Sequence, residues 1–131
     1  MAKRIIVTLD TTTTPPTLEV DIRELKIDKN SKHKIIWEID KNLNLRFVPM
    51  TAKEPGFSWL LPPTPPEGVF GPPEISKNDP KILSIDDDNA KENSSGEWYY
   101  GLRAEDMNGK VYATIGILPI AVPKTPIIIN Q

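Results

Sequence analysis

The sequence predicts an all-β protein, folded as a two-layer antiparallel β-sandwich. Short segments rich in β-branched and aromatic residues alternate apolar and polar side chains with a period of two. Clusters of glycine, proline, asparagine and aspartate separate these segments, and no window of convincing length has helical periodicity. The chain of 131 residues has the size of one ordinary domain with its own core. We therefore expect a single domain, residues 1–131, with an immunoglobulin-like or cupredoxin-like arrangement of strands.

Five strands are predicted before residue 49. They are residues 3–9, 17–22, 25–27, 33–39 and 43–48. The first ends at a run of threonines and at Pro15-Pro16, because proline cannot donate to a sheet ladder. The second and third lie close together, but their apolar positions change phase, which predicts a bulge or a break near Arg23-Glu24.

Four more strands are predicted in the C-terminal half. They are residues 81–85, 97–105, 110–117 and 127–129, with an acidic polar loop at residues 86–96. The Asn-Gly pair at residues 108–109 is typical of a tight turn, so the strands on either side of it form a hairpin. Alternation along this hairpin points Trp98 and Tyr100 to the core. Tyr99 and Tyr112 then lie on the opposite face, where they can form a binding platform for a sugar or a protein partner.

A proline-rich segment, residues 49–80, forms a long internal connection and holds nine of the fourteen prolines. It cannot join a central sheet, since each proline removes a backbone donor and fixes φ. Long irregular connections in compact domains are usually functional or disordered. This segment also carries many large apolar residues, which predicts that it folds over a sheet edge with Trp59 and Phe70 as anchors. The alternative is a polyproline II ligand, for which Pro62-x-x-Pro65 has the minimal spacing.

Composition excludes several classes of function. The chain has no cysteine and one histidine, so disulfides, thiolate nucleophiles, zinc fingers and histidine-rich metal sites are excluded. The net charge of −2 gives no electrostatic footprint for nucleic acid or an anionic membrane. No apolar run is long enough for a secretory signal or a membrane span, so the cytoplasm is the expected location. We expect no cofactor and no metal.

Other familiar site types find little support. The acidic residues 86–92 could offer oxygen ligands to Ca²⁺, but they lack the EF-hand spacing and include Lys91, which favours a solvated loop. A serine hydrolase of the usual type would need His33 as its base, and no G-x-S-x-G sequence is present. The 18 acidic residues leave a glycosidase pair formally open, but nothing selects one.

Two X-Pro bonds follow acidic residues and suggest acid chemistry. They are Glu54-Pro55 and Asp79-Pro80. An Asp-Pro bond is intrinsically weak, because its tertiary amide nitrogen is more basic than usual and the aspartyl carboxyl can attack its own carbonyl. A second carboxyl, for which Glu54 is the best candidate, would donate a proton to that nitrogen. Each dipeptide is expected about once by chance in a chain of this composition.

The order Glu54-Pro55-Gly56 then Asn78-Asp79-Pro80, with the hairpin behind it, carries a resemblance. The chain resembles the DP-EP family of small bacterial β-sandwich proteins over most of its length. The resemblance implies a self-cleaving and self-assembling endopeptidase of the aspartic type, which cuts an Asp-X bond near the C-terminal strand. A neighbouring lysine would then capture the aspartyl carbonyl as an amide. This chain departs from that pattern, since no acidic residue follows Asp106.

Two functions are compatible with these observations. The first is a non-catalytic or weakly catalytic protein of DP-EP type, which assembles with itself or binds an unidentified protein through exposed strands and the proline-rich segment. The second is an autocatalytic endopeptidase that cleaves itself at an aspartyl bond such as Asp79-Pro80. The missing C-terminal aspartate favours the first.

Overall fold

The computed structural model describes residues 2–60, 64–114 and 125–131 of the chain. These residues form eleven strands, and none of them belongs to a helix that could cross a membrane. The strands are β1 (Ala2–Asp10), β2 (Thr17–Val20), β3 (Glu24–Ile27), β4 (Lys32–Ile39), β5 (Arg46–Phe47), β6 (Phe57–Trp59), β7 (Glu74–Ile75), β8 (Ile82–Asp88), β9 (Gly96–Glu105), β10 (Val111–Ala113) and β11 (Ile127–Asn130). The all-β class is confirmed.

The strands build two sheets, an arrangement consistent with the predicted β-sandwich. The first sheet has five strands in the order β2-β1-β4-β8-β7. The second has six, with the path β10-β9-β11-β3 and with β5 and β6 also paired to β9. A bridge between Leu18 and Thr114 links the two sheets at one side.

Both sheets are mixed, which corrects the prediction of purely antiparallel layers. β1 runs parallel to β4, and β11 runs parallel to β3. A parallel pair needs a long crossover, and β2 and β3 lie within the crossover from β1 to β4. The break predicted near residues 23–24 is confirmed, because β2 belongs to the first sheet and β3 to the second.

Aromatic side chains fill the core between the sheets. Trp37 of β4 and Tyr100 of β9 are fully buried, and the Trp37 Nε1–H donates to the Tyr100 hydroxyl at 3.0 Å. Burial raises the pKa of Tyr100 well above its usual range. Phe57 stacks on Tyr100 with ring centroids 5.4 Å apart. Because the buried indole N–H has the Tyr100 hydroxyl oxygen as its acceptor, this hydrogen bond joins the two sheets without leaving the indole donor unpaired.

The hairpin of β9 and β10 has a three-residue loop instead of the predicted two-residue turn. Residues 107–109 form it, and Gly109 has a left-handed φ of 82°. The extra residue places Tyr112 opposite Ala104. Since a shift of one residue exchanges the two faces of a strand, Tyr112 packs against the core and Val111 is 50% exposed. The faces predicted for β10 were therefore wrong.

Two predicted strands have different bounds in the structure, and a third lies partly outside the described residues. The strand expected at residues 43–48 contracts to β5, and residues 43–45 before it and residue 48 after it lie outside any strand. β8 continues through Asp86–Asp88, so the acidic loop starts later than residue 86. Residues 115–117 of the strand predicted at 110–117, and the X-Pro bonds between residues 118 and 123, lie outside the described residues.

The proline-rich segment contacts both sheets. Its β6 pairs with β9 in the second sheet, and its β7 pairs with β8 in the first. Between them, Phe70 forms an isolated bridge to Asp87. Residues 61–63, which include Pro62 of the polyproline motif, lie outside the described residues.

Candidate functional site

An open cleft of about 900 Å³ lies beside β5 and β7, near the two ends of the proline-rich segment. Its apolar lining comes from Phe47, Pro49, Met50, Ile75 and Pro80, and its charged lining from Arg46, Glu74 and Lys77. Prolines keep the backbone from closing a continuous ladder here, because they cannot donate hydrogen bonds. A concave apolar surface with a few charged groups is typical of a binding site.

One wall of this cleft is β7, the last strand of the first sheet. Ser76 N–H donates to the Ile82 carbonyl at 2.9 Å, and Glu74 pairs with Ser84, so both residues face β8. The N–H and C=O of Ile75 between them therefore point away from β8. Within the described ranges, no strand pairs with this outer edge.

Asp79 and Pro80, the predicted cleavage site, form a tight bend before β8. The Asp79 carboxylate accepts the Lys81 N–H at 3.0 Å, and the Asp79 carbonyl accepts the Ile82 N–H at 3.1 Å. The Pro80 carbonyl accepts the Phe47 N–H at 2.9 Å. The bend therefore connects β5 to the start of β8. It also orients the Asp79 carboxyl toward Lys81, beside the Asp79-Pro80 peptide bond.

Glu54 lies on an exposed turn between β5 and β6. The structure describes both Glu54 and Asp79, and neither a hydrogen bond nor a salt bridge joins the two residues. Gly56, in the same motif, has no room for a side chain, since a Cβ there would lie 2.7 Å from the Val48 carbonyl oxygen. The role of Glu54 as a proton donor stays a prediction.

The predicted anchors Trp59 and Phe70 pack into a row of aromatic rings. Their centroids are 4.7 Å apart, Trp59 also meets Phe57 edge-on at 5.0 Å, and Phe70 meets Trp98 edge-on at 5.6 Å. This contact network accounts for both residues through packing. Tyr99 is half-buried on β9. A partner-binding role for these residues and for Tyr112 stays a prediction.

No protein-family model, curated protein or solved structure matches the chain. The resemblance to the DP-EP family therefore rests on the sequence motifs alone.

The sequence did not indicate a buried polar cluster where β8 faces the C-terminal strand. Asp87 is fully buried, and its Oδ1 accepts the Asn130 Nδ2–H at 2.9 Å. Among the described residues, Asp87 Oδ2 and Asn130 Oδ1 have no hydrogen-bond partner, nor does Nδ1 of His33, which lies opposite Asp87 in the ladder. Burial raises the pKa of Asp87 from 3.8 to about 6; the Asn130 hydrogen bond opposes this rise, and Asp88 adds to it.

A usable signal for this cluster was present in the strand pattern. Leu83, Ile85 and Asp87 occupy alternate positions, so extending β8 by one more period would have placed Asp87 on the core face. The acidic composition of residues 86–88 suggested a loop instead. In the part of the chain that the structure describes, no group of three or more histidine or acidic side chains could hold a metal ion.

Proposed function

We propose that the protein is a non-catalytic partner-binding β-sandwich that takes up an extended peptide of a partner protein as an added strand along β7. The observation that carries this proposal is the outward-pointing backbone of Ile75 on a sheet edge that borders the cleft. Strand addition uses such backbone groups for affinity and neighbouring pockets for side-chain selectivity.

The composition of the cleft supports a peptide as occupant. Pro49, Met50 and Ile75 offer apolar contacts to side chains of a bound strand, while Arg46 and Lys77 supply charged groups. Arg46 is already paired with Glu105 at 3.2 Å on the surface, so it adds selectivity more than affinity. A cleft of about 900 Å³ lies within the range of small-ligand and peptide sites.

The test uses phage-displayed random peptides of about 10 residues, the upper length of a typical strand. A selected peptide is then titrated against the protein and against Ile75→Pro, which removes the outward N–H without touching the ladder to β8. We expect binding to weaken about tenfold or more in Ile75→Pro, because a main-chain hydrogen bond is lost.

Ile75→Ala is the matched control, since it shortens the same side chain and keeps the N–H. The proposal predicts that Ile75→Ala binds more tightly than Ile75→Pro. Equal affinities for the two variants, or a library that yields no binder, would overturn strand addition at this edge.

Self-cleavage at Asp79-Pro80 is the second candidate, and one feature favours it. The carboxyl of Asp79 is held beside its own peptide bond, whose carbonyl is polarised by the Ile82 N–H at 3.1 Å. Attack of that carboxyl on the carbonyl carbon would form a cyclic anhydride and release Pro80 as a free amine, and water would then open the anhydride. Glu54 is proposed as the proton donor to the Pro80 nitrogen.

Intact mass spectrometry after days at mildly acid and neutral pH distinguishes the two candidates. Self-cleavage requires two fragments that sum to the parent plus one water, and their disappearance in Asp79→Ala. An unchanged mass eliminates this activity and leaves the binding proposal intact. We also propose that the chain is a member of the DP-EP family and that its sandwich is of the immunoglobulin-like or cupredoxin-like type.

A further inference from the structure

The outer edge of β3 is a second free sheet edge, on the far side of the second sheet from β9. Backbone bonds to the β11 side come from odd-numbered residues: Arg23 O accepts the Ile127 N–H at 2.8 Å and Ile27 O accepts the Gln131 N–H at 2.9 Å. The N–H and C=O groups of Glu24 and Lys26 therefore point outward. No strand among the described residues pairs with them.

The side chains on this edge carry opposite charges two residues apart. Glu24 and Lys26 are exposed, whereas Leu25 and Ile27 are buried. A charged edge strand normally discourages pairing with other chains. Here, however, the order of the two charges makes the strand complementary to a reversed copy of itself.

We propose that two copies of the chain pair antiparallel along β3, around a two-fold axis at Leu25. In this register Glu24 of each copy lies opposite Lys26 of the other, which gives two favourable cross-strand pairs. Shifting the register by two residues places Glu24 opposite Glu24 or Lys26 opposite Lys26. Since a one-residue shift would mismatch the buried and exposed faces, charge selects a single register.

The backbone geometry agrees with the same register. The outward N–H and C=O groups of Glu24 meet those of Lys26 in the second copy, which allows four main-chain hydrogen bonds across the axis. Glu24 also forms an exposed ion pair with Arg23 at 3.3 Å through Oε2, and its Oε1 stays available for the lysine of the other copy. The pairing of two copies along β3 does not involve the cleft at β7, so its test is independent of the proposed function.

Analytical ultracentrifugation of the full chain tests the pairing. We expect the fraction of dimer in the unmodified protein to rise as the protein concentration is raised from about 1 μM to about 1 mM. Lys26→Glu alone and Glu24→Lys alone each turn both pairs into like-charge pairs, and we expect the dimer dissociation constant to rise about tenfold or more. An equimolar mixture of the two variants should recover the dimer, because the acidic strand of one meets the basic strand of the other.

Lys53→Glu and Glu67→Lys are the controls, since they change the net charge equally at exposed positions away from β3. They should leave the dissociation constant unchanged. A strict monomer at the highest concentration would overturn the proposal. So would dimers that persist in both β3 variants, or a mixture of those variants that stays monomeric.

Discussion

At the scale of single residues, the carboxyl of Asp87 is buried against Asn130, and one oxygen of each side chain has no partner in the part of the chain that the structure describes. A proton on Asp87 Oδ2 would allow it to donate to Asn130 Oδ1 and satisfy both atoms. The raised pKa of Asp87, about 6, agrees with a site that favours the neutral acid. His33 lies opposite Asp87 on the same face, and the charge of Asp88, the next residue of the strand, also acts on this carboxyl.

This arrangement predicts how stability depends on pH. Because the pKa of Asp87 in the folded state lies above 3.8, the folded protein holds this proton more tightly than the unfolded chain does. The free energy of unfolding should therefore fall as pH rises from about 4 through about 6, by roughly 3 kcal/mol in total. Urea denaturation at several pH values measures it.

Asp87→Asn should remove most of that pH dependence and stabilise the protein at pH 7, since an amide nitrogen replaces Oδ2 and can donate to Asn130 Oδ1. His33→Gln is the control, because it removes the imidazole opposite Asp87 and keeps the carboxyl. If Asp87→Asn instead lowers stability at pH 7, the ionised carboxylate must have a favourable partner, and the account of this cluster is incorrect.

At the scale of elements, the loop of the β9–β10 hairpin decides which side chains of β10 reach the core. The three-residue loop puts Tyr112 inside and Val111 outside. Tyr112→Ala should therefore lower the free energy of unfolding by about 2 kcal/mol, through lost packing. Val111→Ala should change it by less than about 0.5 kcal/mol, as is usual for exposed sites.

Chemical denaturation of the two variants side by side checks the register. The two-residue turn expected from Asn108-Gly109 would reverse the order, with Val111 as the costly position. A larger loss for Val111→Ala than for Tyr112→Ala would therefore contradict the structure.

Sequence patterns predicted the long, regular elements well. Strands such as β1, β4 and β9 alternate cleanly, and Trp98 and Tyr100 are buried as expected. The short strands β6 and β7 have three and two residues, too few for periodicity to mark them. Their pairing partners, not their own sequences, determine that they are strands.

At the scale of the whole molecule, the direction in which strands pair was not predictable from alternation. Parallel and antiparallel neighbours bury the same faces, so the pattern that identified β1 and β4 could not reveal that they are parallel. The cleft was also not predicted, because it forms between residues 46–51 and 73–80, which only the fold brings together. The proline-rich segment was recognised as unusual, but its outer sheet edge was not.

The two proposed contact surfaces are edges of different sheets. The edge of β7 ends the first sheet and borders the cleft, whereas the edge of β3 ends the second sheet. A dimer formed through β3 leaves β7 free, so a dimer should bind two peptides, one to each copy. Peptide binding that is unaffected by Lys26→Glu would agree with this independence.

Amide hydrogen exchange at Ile75 is the most direct test of strand addition at β7. When a selected peptide is bound, the Ile75 N–H should exchange about tenfold or more slowly, because it gains a hydrogen-bond acceptor. The Ser76 N–H, already bonded to the Ile82 carbonyl at 2.9 Å, should change little and serves as the internal reference. A bound peptide that leaves exchange at Ile75 unchanged would contradict the central claim.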